Sequence, residues 1–464
     1  MSIASVDRVN KAAADLGIPL PMDLKQQIEQ AMPFVGGLDT AKPLGLAFIV
    51  GEGFKQQEYV AFVLPPQAGK ATIADLQAKG ATPEAEAGVL SIQQQLAFKR
   101  TANYLFVYPG NAARLKLVND NIFSRDYQTP GTLISIRTSA TQLRTQMPDL
   151  YKEFLTSILE NSRQNRPQAT APGQALGQQI GEKGIRNWLE KADQYHLSLG
   201  LDAKNVRLTM RFLPSFLQGK REFAKPVFPA GAIATGHLVY PDAATAGWMV
   251  DLMKMMSVED MSWDKLKLSP EQIKQARQAM ESLAAVVVGD AQSFCVQSTG
   301  SGSEPTITLV NQYARQVDVL GEIKKHVTAM NTLDGTQTMQ IEDWKGADGT
   351  PGIRLQEKGK KQHAIITQQG NLVVVTFTAE TLTVQPKITL SPTEKISDFF
   401  TANVDVAAAA TLAGMPEPML QQLAGKSVNI RMVNDSAGGM TLDATLPVEL
   451  IKLGISTAQQ VMPR

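Results

Sequence analysis

The sequence predicts an α+β fold made of antiparallel strands and paired helices. Three observations indicate it: an order of strand, helices and β-hairpin occurs three times, the hairpin segments alternate apolar and polar residues, and meanders of short strands lie between them. Because such units cover one another's apolar faces, we expect two pseudo-similar halves, residues 1–218 and 219–464. The first full repeat spans about 130–218, and the others about 232–330 and 397–455.

The first copy begins with a short strand from Thr132 to Arg137, and helical spacing of apolar residues follows it. The hairpin then alternates apolar residues from Leu197 to Leu201, turns at residues 202–205, and alternates again from Val206 to Phe212. One face of this hairpin is therefore expected to be buried and the other exposed to solvent.

The second copy has a strand from His237 to Tyr240 and a helix that starts at Pro270. Ser269 and Gln272 have the spacing of a capping box around this proline, which is favoured at the first helical position. The apolar face of the helix comprises Ile273, Ala276, Met280, Leu283 and Val287. A hairpin follows, with strands Gln292–Ser298 and Thr306–Val310.

The third copy has Ala402, Val404 and Val406 as the inward residues of its strand, and helical residues continue to Leu423. Its hairpin strands run from Val428 and from Met440, and it ends on a Leu-Pro pair at 446–447 that repeats the pair at 213–214. The shared ending favours a common unit.

A second kind of segment is a meander of short strands, at residues 88–108 and again at 352–375. Residues 163–175, rich in Asn, Gln, Pro and Ala, read as a flexible insertion between helices. The boundary between the two halves is expected near residues 219–231, where prolines are close together.

The composition limits the classes of function. The 45 basic residues nearly cancel the 44 acidic ones, so no basic field exists for binding nucleic acid. No apolar run approaches the roughly 20 residues that span a bilayer. Cys295 is the only cysteine of the chain, which excludes an internal disulfide and a cysteine-based zinc cluster. We expect no cofactor, and either a protein or an apolar ligand as partner.

The first seven residues lack the basic region and apolar stretch of a signal peptide. Two localisations follow from this: the protein is cytoplasmic, or a leader has been removed from the sequence.

The order of strand, paired helices, hairpin and Leu-Pro ending, with phrases such as residues 131–136 (GTLISI), resembles a family of uncharacterised bacterial envelope proteins. Those proteins are built from repeats and are usually exported. The resemblance implies the α+β repeat architecture and an extracytoplasmic, periplasmic location. It carries no catalytic residues over to this chain.

A search for catalytic and metal-binding patterns finds little. The four histidines, His196, His237, His326 and His363, are widely spaced and lack metal-site pairing, so structural or surface roles are expected. His196 and His237 are expected at strand starts. The segment from Gly69 to Thr72 lacks the earlier glycine of a phosphate-binding loop and reads as a turn entering a helix.

Asp343 and Asp348, with glycines beside them, have oxygen ligands that suit calcium, but a solvated turn is the favoured interpretation. The acidic group at residues 259–264 is interpreted as a solvent-exposed linker between helices. Cys295 alternates out of phase with its neighbours and is interpreted as a packed, inert thiol.

Methionines concentrate between residues 249 and 261. A core stripe is the favoured interpretation, and a surface for a hydrophobic partner formed by Met249, Met253, Met255 and Met256 is the alternative. Two hypotheses for function remain open. The first is a non-catalytic scaffold or binding protein outside the cytoplasm; the second is a carrier or hydrolase with a site in the cleft between repeat halves.

Overall fold

A computed structural model provides the architecture of the chain. The structure describes residues 2–18, 23–48, 60–86, 88–93, 95–110, 112–117, 132–146, 193–215, 219–247, 249–251, 268–298, 305–334, 339–346, 349–378, 388–434 and 438–461, with a few isolated residues between 148 and 160. Helices and large antiparallel sheets are both present in them, which confirms the α+β class.

The chain divides into two compact units. Unit 1 holds Met1–Thr156, Ala192–Pro214 and Asp443–Arg464, and unit 2 holds Ser157–Lys191 and Ser215–Leu442.

Elements are numbered in chain order. The strands of unit 1 are β1 (Ser2–Ile3), β2 (Leu44–Phe48), β3 (Val60–Leu64), β4 (Thr82–Pro83), β5 (Val89–Ile92), β6 (Leu96–Arg100), β7 (Leu105–Tyr108), β8 (Thr132–Ser139), β9 (Gln194–Leu201) and β10 (Asn205–Leu213). Its helices are α1 (Val6–Leu16), α2 (Leu24–Ala31), α3 (Ile73–Ala78), α4 (Ala140–Gln146) and α9 (Val448–Val461), with short 3-10 helices at Pro33–Val35 and Ala112–Leu117.

These strands form an antiparallel sheet in the order β4-β5-β6-β7-β3-β2-β1-β8-β9-β10. All four residues of β7 are buried, although their side chains alternate between the two faces of the sheet. Phe106 and Tyr108 pack with Leu115 on one face, and Leu105 and Val107 pack in the cluster of Val6 on the other. The sheet of unit 1 is therefore covered on both faces at this strand.

The strands of unit 2 are β11 (Phe223–Val227), β12 (Ala232–Val239), β13 (Ala291–Gln297), β14 (Thr306–Gln312), β15 (Met339–Lys345), β16 (Pro351–Glu357), β17 (His363–Gln369), β18 (Leu372–Thr378), β19 (Thr389–Ile396), β20 (Phe400–Asp405) and β21 (Ser427–Asn434). Its helices are α5 (Pro270–Val287), α6 (Val319–Asp334), α7 (Val406–Leu412) and α8 (Glu417–Leu423). Strand β22 (Met440–Pro447) contains the boundary between the two units.

The main sheet of unit 2 is antiparallel, in the order β21-β20-β12-β13-β14-β18-β17-β16-β15. Strands β11 and β19 form a separate two-stranded ribbon. Helices α5 and α6 contact each other, and buried residues of α6 pack with those of β16, β17 and β18. The two helices therefore cover one face of the sheet at its β15 end.

Several local predictions are confirmed. Leu201 pairs with Val206 in the β9–β10 hairpin, and β13 pairs antiparallel with β14. Both meanders form, as β5-β6-β7 and β16-β17-β18. Thr72 caps α3 through a capping box with Asp75, so the segment at 69–72 is a turn entering a helix. The insertion at 163–175 and the hairpin turn at 299–304 lie outside the described residues.

Two boundaries differ from the prediction. The opening strand of the second copy is Ala232–Val239, so His237 lies inside it and not at its start. The small residues before His237 have weak strand preference, but the central position of β12 between β13 and β20 decides their structure. Val406 begins α7 and does not end a strand, because the side chain of Asp405 accepts a hydrogen bond from the Ala408 amide at 2.9 Å.

Gly236 is expected to be essential to β12. An added Cβ there would lie 2.4 Å from the Thr401 carbonyl oxygen and 2.5 Å from the Phe294 ring. Gly236→Ala should therefore lower the free energy of unfolding by about 1–3 kcal/mol, measured by urea denaturation. The control is Gly247→Ala in a helical turn with open space around the site, where a gain of up to about 1 kcal/mol is expected. Equal stability of the two variants would contradict the placement of β12.

Candidate binding cavity

A cavity of about 570 Å³ lies in unit 2 between helices α5 and α6 and the sheet face beneath them. We call it the interlayer cavity. Its lining residues are Leu283, Val287, Leu309, Asn311, Val319, Ile323, His326, Val327, Met330, Met339, Leu355, Ala364, Ile366, Val373, Val375 and Phe377. All but His326 and Asn311 are apolar.

The periodicity of each element explains why these side chains converge. Val319, Ile323 and Val327 recur every four residues and share one face of α6. Every second residue of β18 from Val373 to Phe377 points to the same side of the sheet. Each element therefore contributes an apolar stripe to the cavity wall.

Burial varies along the cavity. Val373 is fully buried, and Val319, Ile323 and Val327 are nearly so. Phe377, which also lines the cavity, is 44% exposed. The cavity is therefore closed toward Val373 and open to solvent at Phe377.

Polar contacts hold α6 at its first turn. The side-chain oxygen of Gln368 on β17 accepts hydrogen bonds from the amides of Val319 and Leu320, at 3.0 and 3.3 Å. The side-chain nitrogen of Gln368 donates to the Val317 carbonyl. These contacts satisfy amides that a helix leaves without internal partners and tie the start of α6 to the sheet.

The last turn of α6 is held in the same way. The side chain of Asn331 donates to the Met339 carbonyl at 2.6 Å and accepts from the Met339 amide at 3.1 Å. Met339 is the first residue of β15. Because α6 is fixed to the sheet at both ends, its middle turns cannot collapse freely into the cavity.

The side-chain amide of Asn311 forms a hydrogen bond with α5. It is nearly buried, and its side-chain nitrogen donates to the carbonyl of Val287, the last residue of α5, at 3.4 Å. Nearby, the hydroxyl of Tyr313 donates to the Val286 carbonyl, and burial raises the pKa of this tyrosine. These two contacts fix the C-terminal end of α5.

His326 is the one titratable side chain among the lining residues that the structure describes. Burial lowers its pKa, and a hydrogen bond with the backbone of Ala279 on α5 partly offsets this effect. Its Nδ1 is buried and has no hydrogen-bond partner in the described part of the chain. Since a backbone carbonyl can only accept, an N–H of the imidazole is the donor in the contact with Ala279.

The methionines singled out in the sequence are not among the described lining residues of the interlayer cavity. Met249 is half-buried in a helical turn and does not line the interlayer cavity, whereas Met253, Met255 and Met256 lie outside the described residues. The thiol of Cys295 is fully buried, and burial raises its pKa to about 11, as expected of a packed thiol.

Three of the histidines are engaged in local contacts. His196 lies inside β9, not at its start, with Nε2 2.8 Å from the Ser135 hydroxyl. Nδ1 of His237 lies 2.9 Å from the Thr401 hydroxyl, and burial lowers the pKa of this histidine. His363 is buried at the start of β17, where its Nδ1 lies 3.4 Å from the Lys361 carbonyl oxygen and its Nε2 has no partner in the described part of the chain. These positions agree with the structural roles predicted for them.

Asp343 of the calcium hypothesis forms an ion pair with Lys324 at 2.7 Å, and this hydrogen bond lowers the pKa of the aspartate. Asp348 and the acidic group at 259–264 lie outside the described residues. Among the side chains that the structure describes, no three His, Cys, Asp or Glu residues form a group that could hold a metal ion.

Comparisons with known proteins find no match to a protein family, to a curated protein or to a solved structure. The envelope-family resemblance therefore stays a prediction. In the described part of the chain, no helix has the length and apolar character needed to cross a membrane.

Gln368→Ala is expected to loosen α6. It removes two hydrogen bonds from amides of the first turn of α6 and two to the carbonyls of Val317 and Gly370, so the free energy of unfolding should fall by about 1–3 kcal/mol in urea denaturation. The matched control is Gln340→Ala on the exposed side of β15, which should change stability by less than about 0.5 kcal/mol. Equal effects of the two substitutions would show that Gln368 does not anchor the helix.

The half-buried His326 should make stability depend on pH. Because the pKa of His326 lies below its ordinary value of 6.5 in the folded chain, the unfolded chain binds more protons as the pH falls below 6.5. The stabilisation that neutral His326 gives the folded chain is therefore complete above pH 6.5. It is lost as the pH falls toward the pKa that His326 has in the folded chain. In urea denaturation at a series of pH values, His326→Leu should lose less stability than the wild type over this window. If the unfolding free energies of the wild type and His326→Leu fell in parallel with decreasing pH, the lowered pKa of His326 would be contradicted.

Proposed function

We propose that the chain is a non-catalytic binding protein that carries a small apolar molecule in the interlayer cavity. The observation that carries this proposal is a cavity of about 570 Å³ with an almost wholly apolar lining. Cavities of roughly 300–1,000 Å³ with mostly hydrophobic walls and few polar groups are typical of small-molecule sites.

The size of the cavity argues against a packing defect. Protein interiors are close-packed, and voids larger than a water molecule are few. An apolar cavity of roughly 150 Å³ already binds benzene, and cavity volume left empty lowers stability. An apolar cleft several times larger than this, beneath a helix that is anchored at both ends, is better explained as a site that a ligand fills than as a packing defect.

The chemistry of the lining supports binding over turnover. General acid-base and nucleophilic catalysis use a nucleophile or base that is oriented by a second polar group. His326 is the single titratable side chain of the described lining, and its contact is with a backbone group. A hydrolase at this site therefore has less support than a carrier.

The repeat organisation and the location outside the cytoplasm belong to the same proposal. In each of the three copies, the opening strand pairs antiparallel with the first strand of the following hairpin: β8 with β9, β12 with β13, and β20 with β21. This shared pairing supports a common unit and with it the resemblance to exported envelope proteins. Fractionation of cells that carry the natural gene tests the location, and recovery in the cytoplasm would overturn it.

Binding is tested with N-phenylnaphthylamine, an apolar dye whose fluorescence rises when it enters an apolar site. The purified chain should bind the dye in saturable fashion, and Val375→Trp should weaken dye binding at least about tenfold, because the indole fills cavity volume. The matched control is Val227→Trp on β11, where the valine is 50% exposed, and dye binding should not change.

Thermal melting of both tryptophan variants establishes that they are folded. Absence of saturable dye binding to the wild type, or equal binding by folded Val375→Trp, would overturn the proposed function.

A further inference from the structure

We infer, resting on the proposed function, that the open end of the interlayer cavity docks onto the surface of an anionic lipid bilayer, from which the apolar ligand enters. Two features at one edge of the sheet carry this inference. They are a pair of exposed apolar side chains at the cavity and a nearby turn with three exposed lysines.

Ile307 and Phe377 form an exposed apolar pair at the open end of the cavity. Phe377 lines the cavity, and Ile307 is its partner across strands β14 and β18. Ile307 is 38% exposed and Phe377 is 44% exposed. Because Leu309 lines the cavity and lies two residues from Ile307, both side chains point to the same side of the sheet. The apolar cavity wall therefore continues outward into a patch that is exposed to solvent.

Two methionines add apolar side chains at the same edge of the sheet. Met339 is the first residue of β15, and Met330 precedes Asn331, whose side chain bonds to the backbone of Met339. Both methionines line the cavity and are half-buried. Because methionine side chains are flexible, this edge can adapt to a ligand that passes it.

The turn between β16 and β17 also lies at this edge. His363, the first residue of β17, pairs with Thr378, which directly follows Phe377 in β18. The turn therefore lies one strand away from the exposed apolar pair. It presents three exposed lysines, which we call the turn lysines: Lys358, Lys360 and Lys361.

The turn lysines have charge to offer to a partner. In the described part of the chain, none of them forms an ion pair with another side chain. Glu357 is exposed beside them, so three lysines against one glutamate leave an excess of two positive charges. By contrast, Lys324 and Lys325 in the first half of α6 are both ion-paired. The unpaired positive charge therefore lies at the open end of the cavity.

An anionic bilayer matches both features. Exposed apolar side chains enter the boundary between headgroups and acyl chains, while neighbouring lysines remain among the lipid phosphates. An apolar ligand is poorly hydrated, so a cavity that opens directly onto a bilayer receives it without transfer through water. Docking by this edge therefore gives the open end of the cavity a role in loading the ligand.

The first test measures sedimentation of the purified chain with vesicles of phosphatidylcholine alone or mixed equally with phosphatidylglycerol. Wild type should bind the anionic vesicles at least about tenfold more tightly, and binding should weaken between about 0.1 and about 0.5 M NaCl. Replacing the turn lysines together should weaken binding at least about tenfold, with the substitutions Lys358→Gln, Lys360→Gln and Lys361→Gln.

The matched control removes the same charge away from the open end. It replaces two residues of α6 and the last residue of β15, all of them exposed, with the substitutions Lys324→Gln, Lys325→Gln and Lys345→Gln. Its binding to anionic vesicles should stay within about threefold of the wild type, since charges away from the lipid surface are screened by salt.

The second test asks whether the apolar pair enters the bilayer. Cys295 is buried and burial raises its pKa to about 11, so an introduced surface cysteine reacts first with a nitrobenzoxadiazole label. On labelled Ile307→Cys, emission should rise and shift to shorter wavelength when anionic vesicles are added. The control is labelled Leu390→Cys on β19, where the leucine is 36% exposed, and its emission should not change.

Three results would overturn docking: equal binding of the wild type to both kinds of vesicle, undiminished binding after replacement of the turn lysines, or unchanged emission from labelled Ile307→Cys. A dimer in sedimentation velocity that Ile307→Ser abolishes would also overturn it, because a second copy of the chain would then cover the patch. Thermal melting shows that each variant is folded.

The outcomes separate docking from the carrier function. If docking fails but the chain binds N-phenylnaphthylamine in saturable fashion without vesicles, and Val375→Trp weakens this binding, the carrier function stands alone. If saturable dye binding is absent, the carrier function fails, and the loading role of the docked edge fails with it even where anionic vesicles are bound.

Discussion

The interlayer cavity depends on hydrogen bonds that hold helix α6 at both ends and helix α5 at its C-terminal end. Gln368 and Asn331 join the two ends of α6 to the sheet, and Asn311 and Tyr313 bond to the last carbonyls of α5. Apolar packing alone would favour collapse of the helices onto the strands, because filling a void recovers both dispersion and hydrophobic free energy. Polar contacts are directional, so they set the height of the helices above the sheet and leave the middle of the layer unfilled.

The packed and the unfilled parts of this layer are made from the same side chains. Val319, Ile323 and Val327 belong to the buried cluster that joins α6 to β16, β17 and β18, and they also line the cavity. A ligand in the cavity would therefore extend an existing hydrophobic core. This arrangement couples binding to stability, since a molecule that binds only the folded chain raises its free energy of unfolding.

Local sequence patterns predicted much of the secondary structure. The capping box at Ser269 and the alternation of the hairpins were readable because caps and strand periodicity depend on residues within a few positions of each other. The start of β12 cannot be read from the sequence, because its small residues owe their structure to the strands on both sides. The cavity has no signature in the sequence, although Leu283 and Val287 belong to the predicted apolar face of α5 and both line it. No sequence pattern distinguishes His326 from the other histidines.

The sequence by itself determined the α+β class, most of the hairpins and the apolar faces of the individual elements, because these follow from periodicities of two or 3.6 residues along a short segment. Tertiary structure alone decided which faces meet. The order β14-β18-β17-β16-β15 brings Leu309 beside Val375, and both line the same cavity as His326, although these residues are far apart in the chain. Whether facing apolar stripes close completely or leave a cavity depends on the spacing between layers, and polar contacts between distant residues set that spacing.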